Sequence, residues 1–148
     1  MQLPFTGTCQ CGGTHYEITQ QPLITVVCHC RDCQKLSAGA FSLTMLIKRD
    51  SFRLIRGELR CFSRPADSGN TADCYFCSIC GNRIYHENPA APGVIRLKPG
   101  TLDNTGAIIP DAHVWTSRAQ PWVTIPAGIP QFETQPDIAQ FLRDRAGP

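Results

Sequence analysis

The sequence has little charge of either sign and no long apolar run. Charged residues make up 18% and aromatic residues 8% of its 148 residues, and the formal net charge is +2. The Lys and Arg residues are scattered, without the basic stripe and interleaved aromatics that are typical of nucleic-acid-binding proteins. No segment approaches the ~18 consecutive apolar residues of a membrane-spanning helix. We therefore predict no nucleic-acid partner and no membrane insertion.

The sequence also lacks a recognisable secretory signal, yet it contains nine cysteines. Residues 1–7 have neither the basic region nor the apolar region of a signal peptide. Disulfide frameworks belong to secreted chains and normally use an even number of cysteines, whereas clustered thiols in a reducing compartment act as metal ligands or catalytic groups. The odd count therefore predicts a cytoplasmic protein that uses its thiols for metal binding or chemistry.

Gly and Pro, 12 of each, divide the sequence into short segments that are rich in β-branched and aromatic residues. This spacing is typical of an antiparallel β sandwich or barrel. No internal repeat or linker is visible, so we predict one mainly β domain over residues 1–148. The clearest predicted strands are residues 14–18, 23–27, 41–45 and 94–97, and weaker ones are residues 52–55, 59–62, 83–86 and 112–116.

One helix is predicted, at the C-terminal end. Thr134 and Asp137 form an N-terminal capping pattern. Ile138, Phe141 and Leu142 follow at a spacing that places their side chains on one helix face. We expect this face to pack on the sheet and assign the helix no chemistry.

Two cysteine pairs, each followed by glycine, predict a structural zinc site. Zinc takes four ligands in a tetrahedron, with sulfur at ~2.3 Å. A glycine after each pair lets the backbone turn tightly past the sulfurs. The alternative, buried free cysteines, does not explain two glycine-terminated pairs. The predicted ligands are Cys9, Cys11, Cys77 and Cys80.

A second cluster, Cys28, Cys30 and Cys33, offers three thiols within one short segment. Three protein ligands with one open position is the arrangement of a catalytic zinc. Arg31 and Lys35 add positive charge beside the cluster and can hold an anionic ligand. Two alternatives remain open: Cys61 or Cys74 completes a closed site, or the cluster is metal-free and redox-active.

The order and spacing of these motifs resemble the family of glutathione-dependent formaldehyde-activating enzymes, which includes centromere-protein-V-like proteins. The resemblance extends from Gly7 to about Trp122. It is carried by residues 7–12 (Gly-Thr-Cys-Gln-Cys-Gly), Tyr16, 28–33 (Cys-His-Cys-Arg-Asp-Cys), 39–41 (Gly-Ala-Phe), 57–59 (Gly-Glu-Leu), 76–81 (Phe-Cys-Ser-Ile-Cys-Gly), 100–103 (Gly-Thr-Leu-Asp), Pro110, 113–115 (His-Val-Trp) and 121–122 (Pro-Trp).

The resemblance implies an Mss4-like fold of short antiparallel strands. It implies that Cys9, Cys11, Cys77 and Cys80 hold a structural zinc. It also implies that the trio of Cys28, Cys30 and Cys33 holds a second, labile zinc and carries the catalysis. The implied activity joins glutathione, as co-substrate, to formaldehyde or another small aldehyde, and in reverse it is a carbon–sulfur lyase. The sequence predicts no oligomeric state.

Several side chains near these motifs remain outside the predicted catalytic set. His29 and His113 are candidates for proton transfer by the ordinary pKa of histidine. The simpler interpretation of His29 is a backbone-orienting or solvent-facing residue, and that of His113 is a structural residue. Arg53, Arg56, Arg60 and Arg64 are expected to form a solvated strand edge, and Trp115 and Trp122 a core or pocket wall. Two other functions remain open: a non-catalytic zinc-binding interaction module, and a thiol redox or metal-handling protein.

Overall fold

A computed structural model describes residues 2–66 and 69–146 of the chain. The described part contains eleven strands and two α-helices, joined by turns and single-turn 3-10 helices. In chain order these are β1 (Phe5–Thr8), β2 (His15–Ile18), β3 (Ile24–Cys28), α1 (Arg31–Ser37), β4 (Ser42–Lys48), β5 (Phe52–Arg56), β6 (Leu59–Pro65), β7 (Thr71–Cys77), β8 (Arg83–Glu87), β9 (Val94–Leu97), β10 (Ala112–Val114), β11 (Gln131–Phe132) and α2 (Ile138–Ala146).

The predicted mainly β fold with a C-terminal helix is confirmed, and all eight predicted strands coincide with observed ones. The predicted strand at 112–116 ends early, at Val114, because Trp115 adopts a left-handed conformation with φ of 59°. The prediction missed β1, β7, β11 and the short helix α1. Neither helix of the described chain is long and apolar enough to cross a membrane.

The chain divides into two compact units, and one of the three points at which it passes between them falls within β4. The first unit comprises the described residues up to Pro22 and residues from Met45 to Ile108. In it, β1, β2 and β5 form a three-stranded antiparallel sheet in the order β1-β2-β5. The end of β4 pairs antiparallel with β9, and the order continues through β8 and β7 to β6. The single-domain prediction stays a prediction.

The core of the first unit is built from aromatic and branched side chains. The Tyr16 and Phe52 rings stack with centroids 5.3 Å apart, and Phe52 meets the edge of Tyr85 at 5.0 Å. The buried Tyr16 hydroxyl lies 2.7 Å from the Thr101 hydroxyl. Cys9 and Cys77 belong to the same buried cluster. The first predicted metal site is therefore continuous with this core.

The second unit comprises residues 23–44 and the described residues from Ile109 onward. Here β10 pairs in parallel with both β3 and β11, whereas the sequence predicted antiparallel strands throughout. The predicted C-terminal helix is α2. The Asp137 carboxylate accepts a hydrogen bond from the Gln140 backbone N–H at 3.0 Å, which caps the helix. Phe141 packs edge-on against Phe132 of β11, with centroids 5.4 Å apart.

Candidate metal centres

The first cysteine group lies in the first unit, where two tight turns present their thiols. In each turn a glycine N–H donates to a cysteine carbonyl at 2.9 Å, from Gly12 to Cys9 and from Gly81 to Cys77. Both glycines have positive φ, 74° and 73°. This is the left-handed conformation that glycine adopts without a Cβ clash. The predicted role of glycine after each cysteine pair is confirmed.

The sulfur atoms of this group have the spacing of a zinc site. All four, from Cys9, Cys11, Cys77 and Cys80, lie within 4.8 Å of one another. Cys9 is 3.5 Å from Cys11 and 3.6 Å from Cys77, and Cys11 is 3.8 Å from Cys77. A tetrahedron with Zn–S bonds of ~2.3 Å has sulfur–sulfur edges of about 3.8 Å. The donor set and its dimensions therefore fit a zinc ion.

Backbone N–H groups donate to two of these sulfurs. At Cys11 the Gly13 N–H lowers the pKa, but the neighbouring thiols, above all that of Cys9, together with burial raise it to about 11. The Thr14 N–H donates to the Cys9 Sγ at 3.1 Å, and the Gly13 N–H donates to the Cys11 Sγ at 3.4 Å. Burial alone raises the pKa of Cys77, but nearby donors, including the backbone N–H groups of Ile79 and Cys80, lower that pKa to about 6. Metal binding requires deprotonated cysteine, so these donors prepare the group for a cation.

A third turn, at Gly57, lies against the backbone that follows Cys11. Gly57, between β5 and β6, has φ of 95°, and a Cβ there would lie 2.4 Å from the Gly13 carbonyl oxygen. Gly57→Ala is expected to destabilise the protein by about 2–5 kcal/mol, since it combines an unfavourable φ with a backbone clash. Urea unfolding of the zinc-loaded variant measures this. Gly106→Ala is the control, because its Cβ would meet only the Asn104 side chain, at 3.7 Å. Equal stabilities of the two variants would contradict this role of Gly57.

The second cysteine group lies in the second unit, at the junction of β3 and α1. Cys28 is the last residue of β3 and is buried, and Cys30 is the N-cap of α1. The Cys30 Sγ accepts a hydrogen bond from the Cys33 backbone N–H at 3.4 Å. The three sulfur atoms of Cys28, Cys30 and Cys33 lie within 4.8 Å of one another. The structure thus brings the predicted trio together, at a spacing that also fits zinc.

The three thiols of this group shift one another's proton affinities. Hydrogen bonds from the Cys28 and Cys33 thiols lower the pKa of Cys30 to about 2. The same contacts, above all with Cys30, raise the pKa of Cys28. Hydrogen bonds among the three thiols therefore favour a thiolate within the cluster. A metal cation is the natural partner for this charge, because it stabilises further deprotonation.

Cys61 and Cys74 do not belong to either group. They lie on β6 and β7 in the first unit, and the three-cysteine group contains no fourth Cys, His, Asp or Glu among residues 2–66 and 69–146. Cys61 pairs in register with Tyr75, and Cys74 pairs with Phe62. Because neighbouring register positions face opposite sides of a sheet, the Cys61 and Cys74 side chains point apart. The alternative in which one of them completes a closed site stays a hypothesis.

His29, between two of the thiols, forms a buried pair with His113. Their Nε2 and Nδ1 atoms are 3.0 Å apart, and the rings stack with centroids 5.3 Å apart. Burial lowers the pKa of both imidazoles. The His29 Nδ1 has no hydrogen-bond partner within the described parts of the chain. His29 is fully buried, so the interpretation of it as a solvent-facing residue is wrong.

Gln34, which the sequence analysis did not identify, connects several parts of the second unit. Its Nε2 donates to the carbonyl oxygens of His29 at 2.7 Å and Arg118 at 2.9 Å. Its Oε1 accepts from Arg31 Nη1 at 3.3 Å and from Gln120 Nε2 at 3.2 Å. The buried amide therefore fixes the backbone between Cys28 and Cys30 and orients Arg31. Hydrophobic periodicity in the sequence does not identify a single buried glutamine of this kind.

The predicted series of arginines lies in the first unit, on β5 and β6. Arg53 forms an ion pair with Glu17 at 3.3 Å. Arg56 donates from Nη2 to the Gly12 carbonyl at 2.8 Å. Arg53, Arg56 and Arg60 are exposed, which agrees with the predicted solvated strand edge. These contacts give the series a structural role around β2 and the first cysteine turn.

The fold and the two thiol groups define a class: small, mainly β proteins with clustered cysteines that can hold metal ions. The family model of the glutathione-dependent formaldehyde-activating enzyme matches residues 4–118. The chain belongs to this family, so the predicted resemblance is confirmed.

Among solved structures, a crystal structure of a Rhodobacter sphaeroides protein is similar, with a TM-score of 0.55 and 20% sequence identity. The match covers 71% of this chain and 97% of that chain, and at this identity it shows the shared fold alone. No curated protein matches the sequence.

Proposed function

We propose that this protein is a zinc-dependent carbon–sulfur lyase-type enzyme. It acts on adducts of glutathione, or a similar thiol, with formaldehyde or another small aldehyde. The observation that carries the proposal is the convergence of three thiols, from Cys28, Cys30 and Cys33, without a fourth ligating side chain in the described residues. Membership of the formaldehyde-activating family supports the same reaction class.

The two cysteine groups have different proposed roles. Cys9, Cys11, Cys77 and Cys80 form a complete four-sulfur set and are proposed to hold a structural zinc. Cys28, Cys30 and Cys33 are proposed to hold a second, labile zinc and to form the catalytic centre. Three protein ligands leave a zinc ion one position for an exogenous group.

The chemistry is an addition that consumes no oxidant. The sulfur of the thiol forms a bond to the carbonyl carbon, the carbonyl π bond breaks, and the oxygen takes the proton that the thiol releases. The product is a hemithioacetal, and the reverse reaction breaks the same carbon–sulfur bond. Zinc supplies a cation that keeps a coordinated thiol deprotonated at neutral pH.

The chain's own residues provide the frame for this reaction. Cys28, Cys30 and Cys33 hold the cation, and the Gln34 amide fixes the intervening backbone through the His29 carbonyl. The His29 backbone N–H also donates to the Val114 carbonyl at 3.0 Å, so both sides of the His29 backbone are fixed. We assign no proton transfer to His29 or His113, because their facing ring nitrogens are bound to each other.

The proposal is tested by exchange spectroscopy on a glutathione–formaldehyde mixture with zinc-loaded protein. We expect hemithioacetal formation at least ~10-fold above the uncatalysed rate, equivalent to about 1.4 kcal/mol of barrier. Metal analysis with and without excess glutathione provides a second readout, because a labile zinc is expected to be lost or exchanged first. Cys61→Ser, at an exposed position outside both groups, is the matched control.

Other outcomes favour the two alternative functions. Folded protein with both metals but no acceleration would contradict the enzyme and favour a zinc-binding interaction module. Metal-free protein whose trio forms disulfides under mild oxidation would favour thiol redox chemistry. Thiol counting under reducing and oxidising conditions distinguishes these results.

A further inference from the structure

In the first unit, the end of β4 and strands β6 to β9 form a sheet whose two faces differ in charge. Successive side chains of a strand point to opposite faces, and residues paired in register share a face. Ile95 and Leu97 are fully buried in the hydrophobic core and identify the core side. Glu87 pairs with Ile95, and Asp73 pairs with Glu87. Both carboxylates of these described strands therefore lie on the core side.

The opposite face of this sheet, called the basic face below, alternates cations with aromatic rings. Register pairing gives one cross-strand row in the order Phe62, Cys74, His86 and Arg96. The next row runs Arg60, Phe76 and Arg83. By the same alternation along the strands, the face also includes the cations Lys48, Arg64 and Lys98. Six cations thus share a face that carries no Asp or Glu within the described strands.

The cations of the basic face converge around His86, which is buried. Arg83 donates from Nη1 to the His86 Nε2 at 2.8 Å. Burial and four nearby positive charges lower the pKa of His86 to about 2, so its ring is neutral and accepts this hydrogen bond. The four charges belong to Lys98, Arg83, Arg64 and Arg96. Within the described residues, Arg60, Arg83 and Arg96 form no ion pair. Because like charges repel, this arrangement favours an anionic ligand.

An exposed aromatic ring among these cations indicates which kind of anion the face fits. Phe62 is 54% exposed and lies between Arg60 and Arg64 on β6, the last strand in the described order of the sheet. Cations that contact a phosphate backbone, together with aromatic rings on which bases stack, are the common elements of surfaces that bind single-stranded nucleic acids. The bases of a duplex are stacked on one another, so they are not accessible to such a ring. The exposed ring therefore favours a single strand.

The width of the face also suits a polymer. Neighbouring strands lie ~4.8 Å apart, so five strands distribute the cations over roughly 19 Å. Single-strand-binding surfaces of this kind accommodate about 4–16 nucleotides. The cations are scattered in the sequence, and for this reason the sequence predicted no nucleic-acid partner. The strand register brings them onto one face.

We propose that the basic face binds single-stranded nucleic acid. Arg60, Arg83 and Arg96 contact the phosphates, and a base stacks on Phe62. This interaction goes beyond the proposed function, because it involves neither the thiol substrate nor the group of Cys28, Cys30 and Cys33.

Fluorescence anisotropy of labelled oligo-dT, ~12 nucleotides long, with the zinc-loaded protein tests the inference. We expect binding whose logarithm falls linearly with the logarithm of the salt concentration, by about 0.7 for each neutralised phosphate. The double variant Arg60→Gln/Arg96→Gln is expected to bind about tenfold more weakly or worse, and its salt slope should be shallower by about 1.4, the value for two phosphate contacts. Oligo-U of the same length measures whether RNA or DNA binds more tightly.

Phe62→Ala separates stacking from charge. We expect it to weaken binding about fivefold or more and to leave the salt slope unchanged, because it removes a stacked base and no cation. Arg60, Phe62 and Arg96 are exposed, so these variants are expected to fold. The matched control is Arg118→Gln/Arg143→Gln, which removes two exposed cations of the second unit and is expected to bind like the wild type.

Competition with other polyanions completes the test. A duplex of the same length and inorganic polyphosphate are both expected to displace the oligonucleotide less well than an unlabelled single strand. Displacement by either of them as effective as that by the single strand would overturn the inference in favour of a general anionic partner. The inference would also be overturned if the wild type bound neither oligonucleotide, if Phe62→Ala bound like the wild type, or if the control variant lost as much affinity as Arg60→Gln/Arg96→Gln.

Discussion

Cys77→Ser is expected to abolish the stable fold of the unit that contains it. Cys77 is 1% exposed, its sulfur lies within 4 Å of two other thiols, and it belongs to the hydrophobic core cluster. Structural zinc contributes ~10–16 kcal/mol of apparent binding free energy in zinc-finger peptides, as much as the whole stability of many domains. Serine is a far poorer zinc ligand, and the substitution leaves three thiolates crowded together without their fourth partner.

Thermal unfolding and metal analysis measure this effect. Even a loss of ~5 kcal/mol would lower the melting temperature of a chain of this size by roughly 10–20 °C. We expect the variant to be insoluble or to unfold without a cooperative transition, and to hold less zinc. Chelation of the wild-type protein should reproduce the same loss. Cys61→Ser is the matched control, since an exposed substitution of this kind is expected to change stability by less than ~0.5 kcal/mol.

A soluble Cys77→Ser protein with wild-type stability would contradict the structural role of the first group. Partial destabilisation with retained zinc would show that three thiols and a water suffice to hold the ion. Only the first result removes the assignment, because the second still places Cys77 beside a bound metal.

The two cysteine groups could be predicted from the sequence because each half is local. Within a turn, spacing alone decides which thiols meet, and the glycines after Cys11 and Cys80 mark these turns. Cys9 and Cys77 are 68 residues apart. Because zinc takes four ligands, the sequence alone predicts that their two pairs meet at one ion. A metal that takes a fixed number of ligands thus predicts contacts between residues that are distant in the sequence, which hydrophobic patterns do not.

The features that the sequence did not predict are not constrained by a fixed number of ligands. Helix α1 has seven residues, too few for the 11–18-residue windows in which helical periodicity is recognised. It begins because Cys30 caps it, and it ends where Ala38 adopts a left-handed conformation. The parallel pairing of β10 with β3 and β11 depends on the direction in which a long connection brings the chain back to the sheet. The residue pattern of a single strand does not encode that direction.

The Gln34 network illustrates the same limit at the candidate site. Gln34 and Gln120 are 86 residues apart and meet only because α1 and the later segment pack together. A buried amide that satisfies four contacts is recognisable from geometry alone. The cysteines that the structure brings together were thus predicted from sequence, whereas the residues that organise their surroundings were not.

Cys30→Ser is expected to separate function from folding at the second group. Serine is among the preferred N-cap residues, so it can replace the Cys30 sulfur as acceptor of the Cys33 N–H at the start of α1. Cys30 is only half-buried and lies outside the core cluster of the first unit. The melting temperature should therefore stay within roughly 4 °C of the wild type, the shift expected for ~1 kcal/mol.

The functional effect of Cys30→Ser should be large because the trio then offers two thiols instead of three. We expect the variant to retain the zinc of the first group, to lose that of the second, and to form hemithioacetal at the uncatalysed rate. A variant that unfolds as Cys77→Ser does would make the second group structural, and one that keeps both metals and full activity would exclude Cys30 as a ligand. Because serine preserves the helix cap, either result would reflect the sulfur itself and not the start of α1.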